Sequence, residues 1–377
     1  MDIKDFKAGN FIKQYSYKSF RPQLVNIEWI ISNPKINTLL SEANILLGEL
    51  NAFSQYVPSV AFFIQMHITK EAATSSKIEG TQTSIDEAVL KIEDISLEKR
   101  DDWQEVQNYI RAMDFAIKEL ERLPISSRLL KQTHKILLSS VRGEHKLPGE
   151  YRTSQNWIGG ATLTDAIFIP PHHLELNELM SDLENFLNND EIDVPKLLII
   201  AIAHYQFETI HPFLDGNGRL GRLLITLYFI STQILVKPTL YLSDFFEKHR
   251  SDYYDNLMVV RQKNDLEQWI KFFLVGVIET AQKSKNTLHN ILELKEKNEV
   301  SILGLGTKAT KAKALLELLY QHPIVSAAMI AEELSISVPT ANTFLREFEK
   351  LHILTELTGY KRNRLFAHSE YLDLFYK

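Results

Sequence analysis

His211-Pro-Phe-Leu-Asp-Gly-Asn-Gly-Arg-Leu-Gly-Arg222 decides how the rest of the chain is read. The stretch holds a base (His211), a hard carboxylate (Asp215), an amide (Asn217), two positions without side chains (Gly216, Gly218) and two arginines (Arg219, Arg222). An apolar run from Leu223 to Ile230 follows at once and predicts a buried helix. A glycine loop entering a helix presents unpaired N–H groups and the positive end of the helix dipole, an arrangement that receives anions. Residues three apart share a helix face, so Arg219 and Arg222 are expected to project together. Each cation there opposes the dipole by about 0.3–1 kcal/mol, a cost that makes sense if both grip an anion on the same terminus. Guanidinium matches phosphate in bidentate geometry. Asp215 beside phosphate suits Mg²⁺, which takes one or two carboxylates together with phosphate oxygens. Pro212 pushes His211 towards extended backbone, as suits a base mounted on a loop.

Residues 211–222 match every fixed position of H-x-F-x-[D/E]-G-N-G-R-x-x-R, and in this the chain resembles the Fic (filamentation induced by cAMP) family. The resemblance implies transfer of the AMP moiety of ATP to a Ser, Thr or Tyr hydroxyl of a target protein, with release of pyrophosphate. His211 would take the hydroxyl proton and Asp215 would bind Mg²⁺. Gly216, Asn217 and Gly218 would cradle the nucleotide phosphates, with Arg219, Leu220, Gly221 and Arg222 continuing the phosphate site. The related Doc-type sequences carry lysine where this chain has Gly218, which argues against their kinase-like chemistry. Rival readings are transfer of another phosphate-bearing group, hydrolytic removal of AMP with Glu79 orienting water, and a transcriptional regulator that merely senses nucleotide. An intact His211 favours the enzyme, because a pure binding site needs no base.

Upstream, Val60 to Thr74 reads as a long helix that leads into Ser75-Ser-Lys-Ile-Glu79-Gly80. Ser75 and Glu79, four apart, share a face. Gly80 suits a left-handed residue closing the helix, which leaves Glu79 in a last turn where negative charge is disfavoured. By itself this is an ordinary exposed helix end. Beside the 211–222 run it is similar to the inhibitory motif [S/T]-x-x-x-E-[G/N] of the same family. That likeness implies that Ser75, Glu79 and Gly80 are inhibitory and that Glu79 pairs with Arg222 against the ATP γ-phosphate.

Between the motifs, Leu147-Pro-Gly-Glu-Tyr-Arg152 precedes Gly159 to Pro171, whose glycines and β-branched residues predict a short hairpin. It is similar to the Fic flap, so the target protein is expected to dock near Gly160–Phe168 by strand-like pairing. His172 and His173 read as surface residues, and His204, in an apolar helical run, as a core histidine. Tyr254 falls where Fic proteins contact adenine, although a Tyr-Tyr pair usually packs in a core.

The fold class expected is mainly α: a Fic-type helical core with a β-hairpin flap and a C-terminal winged helix-turn-helix. A chain of 377 residues with 45% apolar and 24% charged content has ample material for two or three domains. Residues 1–105 are expected to be a mostly helical region ending in a solvated charged stretch, Lys91 to Glu105. The catalytic core spans 106–285, a linker helix and linker 286–305, and the winged helix 306–377. In the last segment, Ser337 is expected to cap a helix with Pro339 in its first turn, followed by a two-stranded wing. From Gly306 onward, nine Lys+Arg against eight Asp+Glu leave a net +1, and the only cationic cluster is Lys361-Arg362-Asn363-Arg364. That is weak for a DNA footprint, so protein contact or homodimerisation is favoured over DNA, and the module is expected to be separable from the catalyst. A net charge of −6 makes no case for membrane or nucleic acid. Zero cysteines and a start without a basic-then-apolar leader suggest a cytoplasmic protein.

Overall fold

The computed structural model describes residues 1–56, 60–139, 144–359 and 363–376. A hairpin comes first, β1 (Gly9–Lys13) and β2 (Lys18–Pro22), antiparallel with Phe11 opposite Phe20. The helices α1 (Pro34–Tyr56), α2 (Val60–Ile78), α3 (Ile85–Ala88) and α4 (Arg100–Glu119) follow. The expectation of a mostly helical N-terminal region therefore missed β1 and β2. These strands are short and carry Lys13, Lys18 and Ser19 in place of a clean apolar alternation.

The central bundle comprises α5 (Ser127–Leu137), α6 (Leu176–Leu187), α7 (Lys196–Ile210), α8 (Asn217–Ser231), α9 (Ser243–Lys248), α10 (Arg250–Lys263) and α11 (Leu266–Leu303). Every residue of α7 from Leu197 to Ile210 is buried, so this helix is the axis of the core. An all-round apolar helix is stable only when enclosed on every side. Here α6, α8 and α11 enclose it. Trp269 of α11 locks against it through an indole N–H to the Ala201 carbonyl at 2.7 Å. The boundary expected at residue 285 falls inside α11, which runs 38 residues without a break. At 1.5 Å per residue that is about 57 Å of continuous rod. The boundary expected at 105 likewise falls inside α4, whose first turn is formed by the end of the charged stretch.

The expected flap hairpin is reduced to one antiparallel bridge, Ile158 to Phe168. The ladder stops there because Asp165 turns the loop back on itself, accepting from the Ala161 and Thr162 N–H groups at 2.9 and 2.6 Å. Gly160, at φ +75°, could not carry a side chain, since its Cβ would lie 2.4 Å from the Asp165 carbonyl oxygen. The N-terminal hairpin braces this loop. Phe20 donates its N–H to Ile169 O at 2.9 Å, and its ring packs on Phe168.

The C-terminal module has α12 (Ala309–Gln321), β3 (Ile324–Ser326), α13 (Ala327–Glu333), α14 (Val338–Lys350), β4 (Thr355–Glu356), β5 (Leu365–Ala367) and α15 (Ser369–Tyr376). Its sheet order is β3-β5-β4. Ser337 caps α14 by accepting from Thr340 N–H, with proline in the first turn, as expected. Of the cationic wing cluster, Lys361 and Arg362 lie outside the described residues, and Arg364 is paired with Glu356 at 2.9 Å. The helix α15 was not anticipated. It packs back on α11 and on α2, so the module is docked on the N-terminal region rather than hung from a free linker. No helix among the described residues is long and apolar enough to cross a membrane.

Burial holds His67, His204 and His368 neutral, each with its pKa pushed down to about 3 from 6.5. Because their folded pKa values are depressed, protonation favours unfolding as pH falls from 6.5 towards 3. Burial also raises Glu71 and Glu208 to about 7, and these contribute stability that grows from pH 7 down to 4.5 and then levels off. The melting temperature, followed by calorimetry, is therefore expected to fall gently from pH 6.5 to 4.5 and steeply below it. A flat profile down to pH 3.5 would contradict the neutral burial of these histidines.

Candidate active site

The loop that carries the 211–222 motif begins where α7 stops. His211 is the helix C-cap, at φ 49° and ψ 60°, and donates its N–H to Phe207 O at 2.9 Å. This corrects the expectation of extended backbone: proline excludes the right-handed helical region for the residue before it, and His211 takes the left-handed one instead. Burial first, then the nearby charges of Arg261 and Arg152, pull its pKa down to about 3, so the ring is an unprotonated acceptor at neutral pH. Its Nδ1 is buried and has no hydrogen-bond partner among the described residues.

The segment from His211 to Gly216 has no ladder of its own, so side chains satisfy its backbone. Asn217 accepts from Phe213 N–H at 2.8 Å and donates to Phe213 O at 2.9 Å. Its amide therefore shapes the loop and is not presented to a ligand. Asn156 donates to the carbonyls of His211 and Phe213. Arg152, 2% exposed, donates to four carbonyls: His211, Ser154, Pro171 and Ile210. His134 lies flat on Phe213 with ring centroids 3.8 Å apart. Its Nδ1 accepts from Gly149 N–H, which leaves Nε2–H to donate to the Asp215 carbonyl at 2.9 Å. Sequence reasoning missed His134 and Asn156 and did not give Arg152 a role. The available signal was Leu147-Pro-Gly-Glu-Tyr-Arg152, whose Gly149 and Arg152 both serve this loop.

Asp215 is 44% exposed at its side chain and takes the Gly216 N–H on Oδ1 at 2.6 Å. The described residues hold no cluster of three His, Cys, Asp or Glu side chains able to enclose a metal. A single open carboxylate next to an anion site fits Mg²⁺ held mainly by phosphate and water, and fits no all-protein metal cage.

Gly216, at φ +73°, caps α8, and Asn217, Gly218 and Arg219 form its first turn. Leu220 N–H is already bonded to Gly216 O, and the Leu220 side chain is fully buried. A Cβ on Gly221 would lie 2.3 Å from Glu208 Oε1, so that glycine exists for helix packing. Leu220 and Gly221 therefore face the core, which corrects their expected part in the phosphate site. The anion-receiving end of α8 is Asn217 to Arg219.

The two arginines do not converge on an empty anion site. Arg219 pairs with Glu105 of α4 at 2.9 Å and lies 3.6 Å from Asp215. Glu105, expected at the end of a solvated stretch, is instead a half-buried partner that no local pattern reveals. Arg222, 3% exposed, donates from Nε to Ser75 Oγ at 2.9 Å, and from Nη2 to Ser75 O at 2.8 Å and Glu79 Oε1 at 2.6 Å. Burial works against the Arg222 charge, but Glu79 together with Tyr253, Tyr254 and Glu208 outweighs it and the pKa moves up. Burial likewise pushes Glu79 up, and the charge and hydrogen bond of Arg222 reverse this and hold the carboxylate below its usual range. Glu79 Oε1 lies where a Gly218 side chain would begin, 2.3 Å from an ideal Cβ. The carboxylate thus rests on the first turn of α8. Gly80 has φ +110°, the positive value expected of it, and Glu79 lies just beyond the last residue of α2.

The tyrosine pair divides. Tyr253 is buried with its hydroxyl on His204 Nε2, and His204 Nδ1 donates to Gly221 O. The core reading of His204 is correct. Tyr254 is 38% exposed, and its hydroxyl feels both Glu79 and Arg222. His172 caps a short turn at Leu174 N–H.

Residues 37–118 match the Fic/DOC family N-terminal domain and residues 124–229 the Fic/DOC family domain. The chain belongs to the Fic/DOC family. Residues 313–366 match an HTH DNA binding domain. Among curated relatives, the protein adenylyltransferase Fic of Drosophila grimshawi is 29% identical over 171 residues, 44% of this chain and 32% of its own. The protein of the same name from Culex quinquefasciatus is 34% identical over 125 residues, 33% of this chain and 22% of its own. The chain thus spans a third or less of the length of these relatives. A Fic family protein from Desulfovibrio desulfuricans shares the fold, with a TM-score of 0.57 and 22% identity over 89% of this chain and 96% of its own.

Arg152→Met would remove one donor from each of four carbonyls, of which His211 O keeps the Asn156 amide. A loss of about 3 kcal/mol in unfolding free energy is expected, at 1–3 kcal/mol for each poorly replaced bond after relaxation. Urea denaturation measures it. A change below about 0.5 kcal/mol, the range of ordinary surface substitutions, would show that the clamp carries no weight.

Proposed function

We propose that this Fic protein moves AMP from ATP to a hydroxyl of a target protein and that Glu79 holds it in check. One placement supports the reading above all: a tethered carboxylate lies over Gly218 and bonds to Arg222. A helix N-terminus with a buried guanidinium beside it would take phosphate in the same place. His211 stands next to it, unprotonated. As the acceptor oxygen bonds to the α-phosphorus, its proton passes to the imidazole and the bond to pyrophosphate breaks. The negative charge of bound ATP raises the His211 pKa towards the range where a general base works well. Asp215 would hold Mg²⁺, which neutralises charge on the phosphates. Tyr254 would border the nucleotide, and the loop Gly160–Phe168 would hold the target segment. Arg219, already held by Glu105, would reach a phosphate only by sharing that partner.

For the winged module we favour a protein partner or a second copy of the chain over duplex DNA. The net charge of +1 from Gly306 onward supports this, as does the pairing of Arg364 with Glu356.

His211→Ala is expected to lower transfer from α-labelled ATP by about 10²–10⁴-fold, the ordinary worth of a general base, while ATP binding changes little. Undiminished labelling would remove His211 from the chemistry, and labelling from γ-labelled ATP alone would indicate a kinase. Glu79→Gly is expected to raise transfer about five- to 150-fold, the usual span of intramolecular coupling. Equal rates for variant and parent across ATP concentrations would mean that the Arg222–Glu79 pair is structural only.

A further inference from the structure

The helix that delivers Ser75 and Glu79 to Arg222 is also the surface on which the C-terminal module rests. Phe375 of α15, 1% exposed, meets the His67 ring of α2 edge-on at 5.2 Å. His67 also packs against Phe63, tilted, and Tyr241, stacked, with centroids at 4.0 and 6.3 Å. The Tyr376 hydroxyl and the carboxylate of Asp86 on α3, the first helix after the inhibitory segment, lie close enough to influence each other's ionisation. α12 also packs on α2. The module therefore touches the inhibitory segment on both sides of Glu79 in the chain.

Further attachments on the same face of α2 are polar and join it to the central bundle. Lys70 bonds Asp244 at 3.2 Å and Lys77 bonds Glu247 at 2.8 Å, both on α9. Glu71 accepts from Tyr109 and Ser243. A cavity of about 290 Å³ lies among the end of α2, the 81–85 turn, α9 and α15, with Thr74, Lys77 and Tyr376 in its wall. The inhibitory helix thus has room beside it, and on that side it is backed by the apolar contact with α15 together with the ion pairs to α9. A shift of one or two ångströms, ordinary for packed helices in switching proteins, is enough to break a 2.6 Å hydrogen bond between Glu79 and Arg222.

We infer that the C-terminal module is a latch on the inhibitory helix, so that its seating through Phe375 and Tyr376 sets how firmly Glu79 covers Arg222. The inference rests on the proposed inhibitory role of Glu79 and extends it. It gives the module a task in the same chain: a partner that loosens α15 from α2 raises transfer, and one that tightens it lowers transfer.

The test uses the full chain with Phe375→Ala, Phe375→Leu and Tyr376→Phe, each also in the Glu79→Gly background. Transfer from α-labelled ATP and hydrogen exchange of the Ser75–Gly80 amides are both measured. Phe375→Ala is expected to raise transfer about fivefold or more, the lower end of ordinary coupling, and to speed exchange at Ser75–Gly80. Leucine should rescue part of the effect, and neither variant should add to Glu79→Gly. Tyr376→Phe, which removes only a hydroxyl, supplies the answer if the alanine variant fails to fold, and should act in the same direction. Unchanged transfer and exchange in these variants, with Glu79→Gly active, would overturn the latch. So would an equal gain in both backgrounds. If Glu79→Gly itself gives no gain, the inhibitory reading fails instead, and exchange still reports whether α15 restrains α2.

Discussion

A guanidinium buried in this core cannot stand without an anion. Removing the partner of a buried charge costs about 3–5 kcal/mol, because the remaining ion has lost its water and gained nothing. Arg222 is in that position, and the first turn of α8 next to it also calls for negative charge. Glu79 meets both demands, so the resting state is built by the same forces that would hold a nucleotide. On the proposed reading, activation is an exchange of anions at one cation. The other carboxylates nearby do not compete: burial raises Glu71 and Glu208 to about 7, so each spends much of its time as the neutral acid.

The chemistry sits on a loop that owns no regular hydrogen bonding, yet the loop is held closely. Arg152, Asn156, Asn217 and His134 each direct side-chain donors at backbone carbonyls between Ile210 and Asp215. A reactive group placed on a loop loses precision unless such support exists. The fully buried α7 supplies a fixed origin for the loop and α8 a fixed end. Little slack remains between His211 and the anion site.

The site was legible in outline because its elements are contiguous in the chain. His211, Asp215, the glycines and both arginines occupy twelve residues, and a helix entered from a glycine loop has only a few geometries. The i,i+4 relation of Ser75 and Glu79 also reads directly: Glu79 reaches Arg222 as expected, and Ser75 reaches it too, a contact the sequence had not suggested. What failed were statements about direction and distance. Leu220 and Gly221 look like motif members but face inward, because the helix turns them there and Glu208 fills the space. Glu105 and His134 are far from the loop in sequence and have no local pattern to announce them. The N-terminal hairpin and α15 were missed for a related reason. Both take their shape from what they pack against, Phe168 in one case and His67 in the other. Domain limits drawn from charge and composition misplaced the middle of the chain, since a helix as long as α11 changes its surface from buried to solvated without breaking.

Gly218 has a consequence for how such a protein can evolve. Its missing side chain leaves the space that Glu79 now fills and that a phosphate would need. A mutation that places any side chain there would expel the Glu79 carboxylate and, on the proposed reading, bar the nucleotide phosphate in the same step. On that reading escape from inhibition by this route yields a dead enzyme, not an unrestrained one, and release comes through α2 or through whatever holds α2. Those positions are remote from the nucleotide, and selection can adjust them without disturbing the reaction.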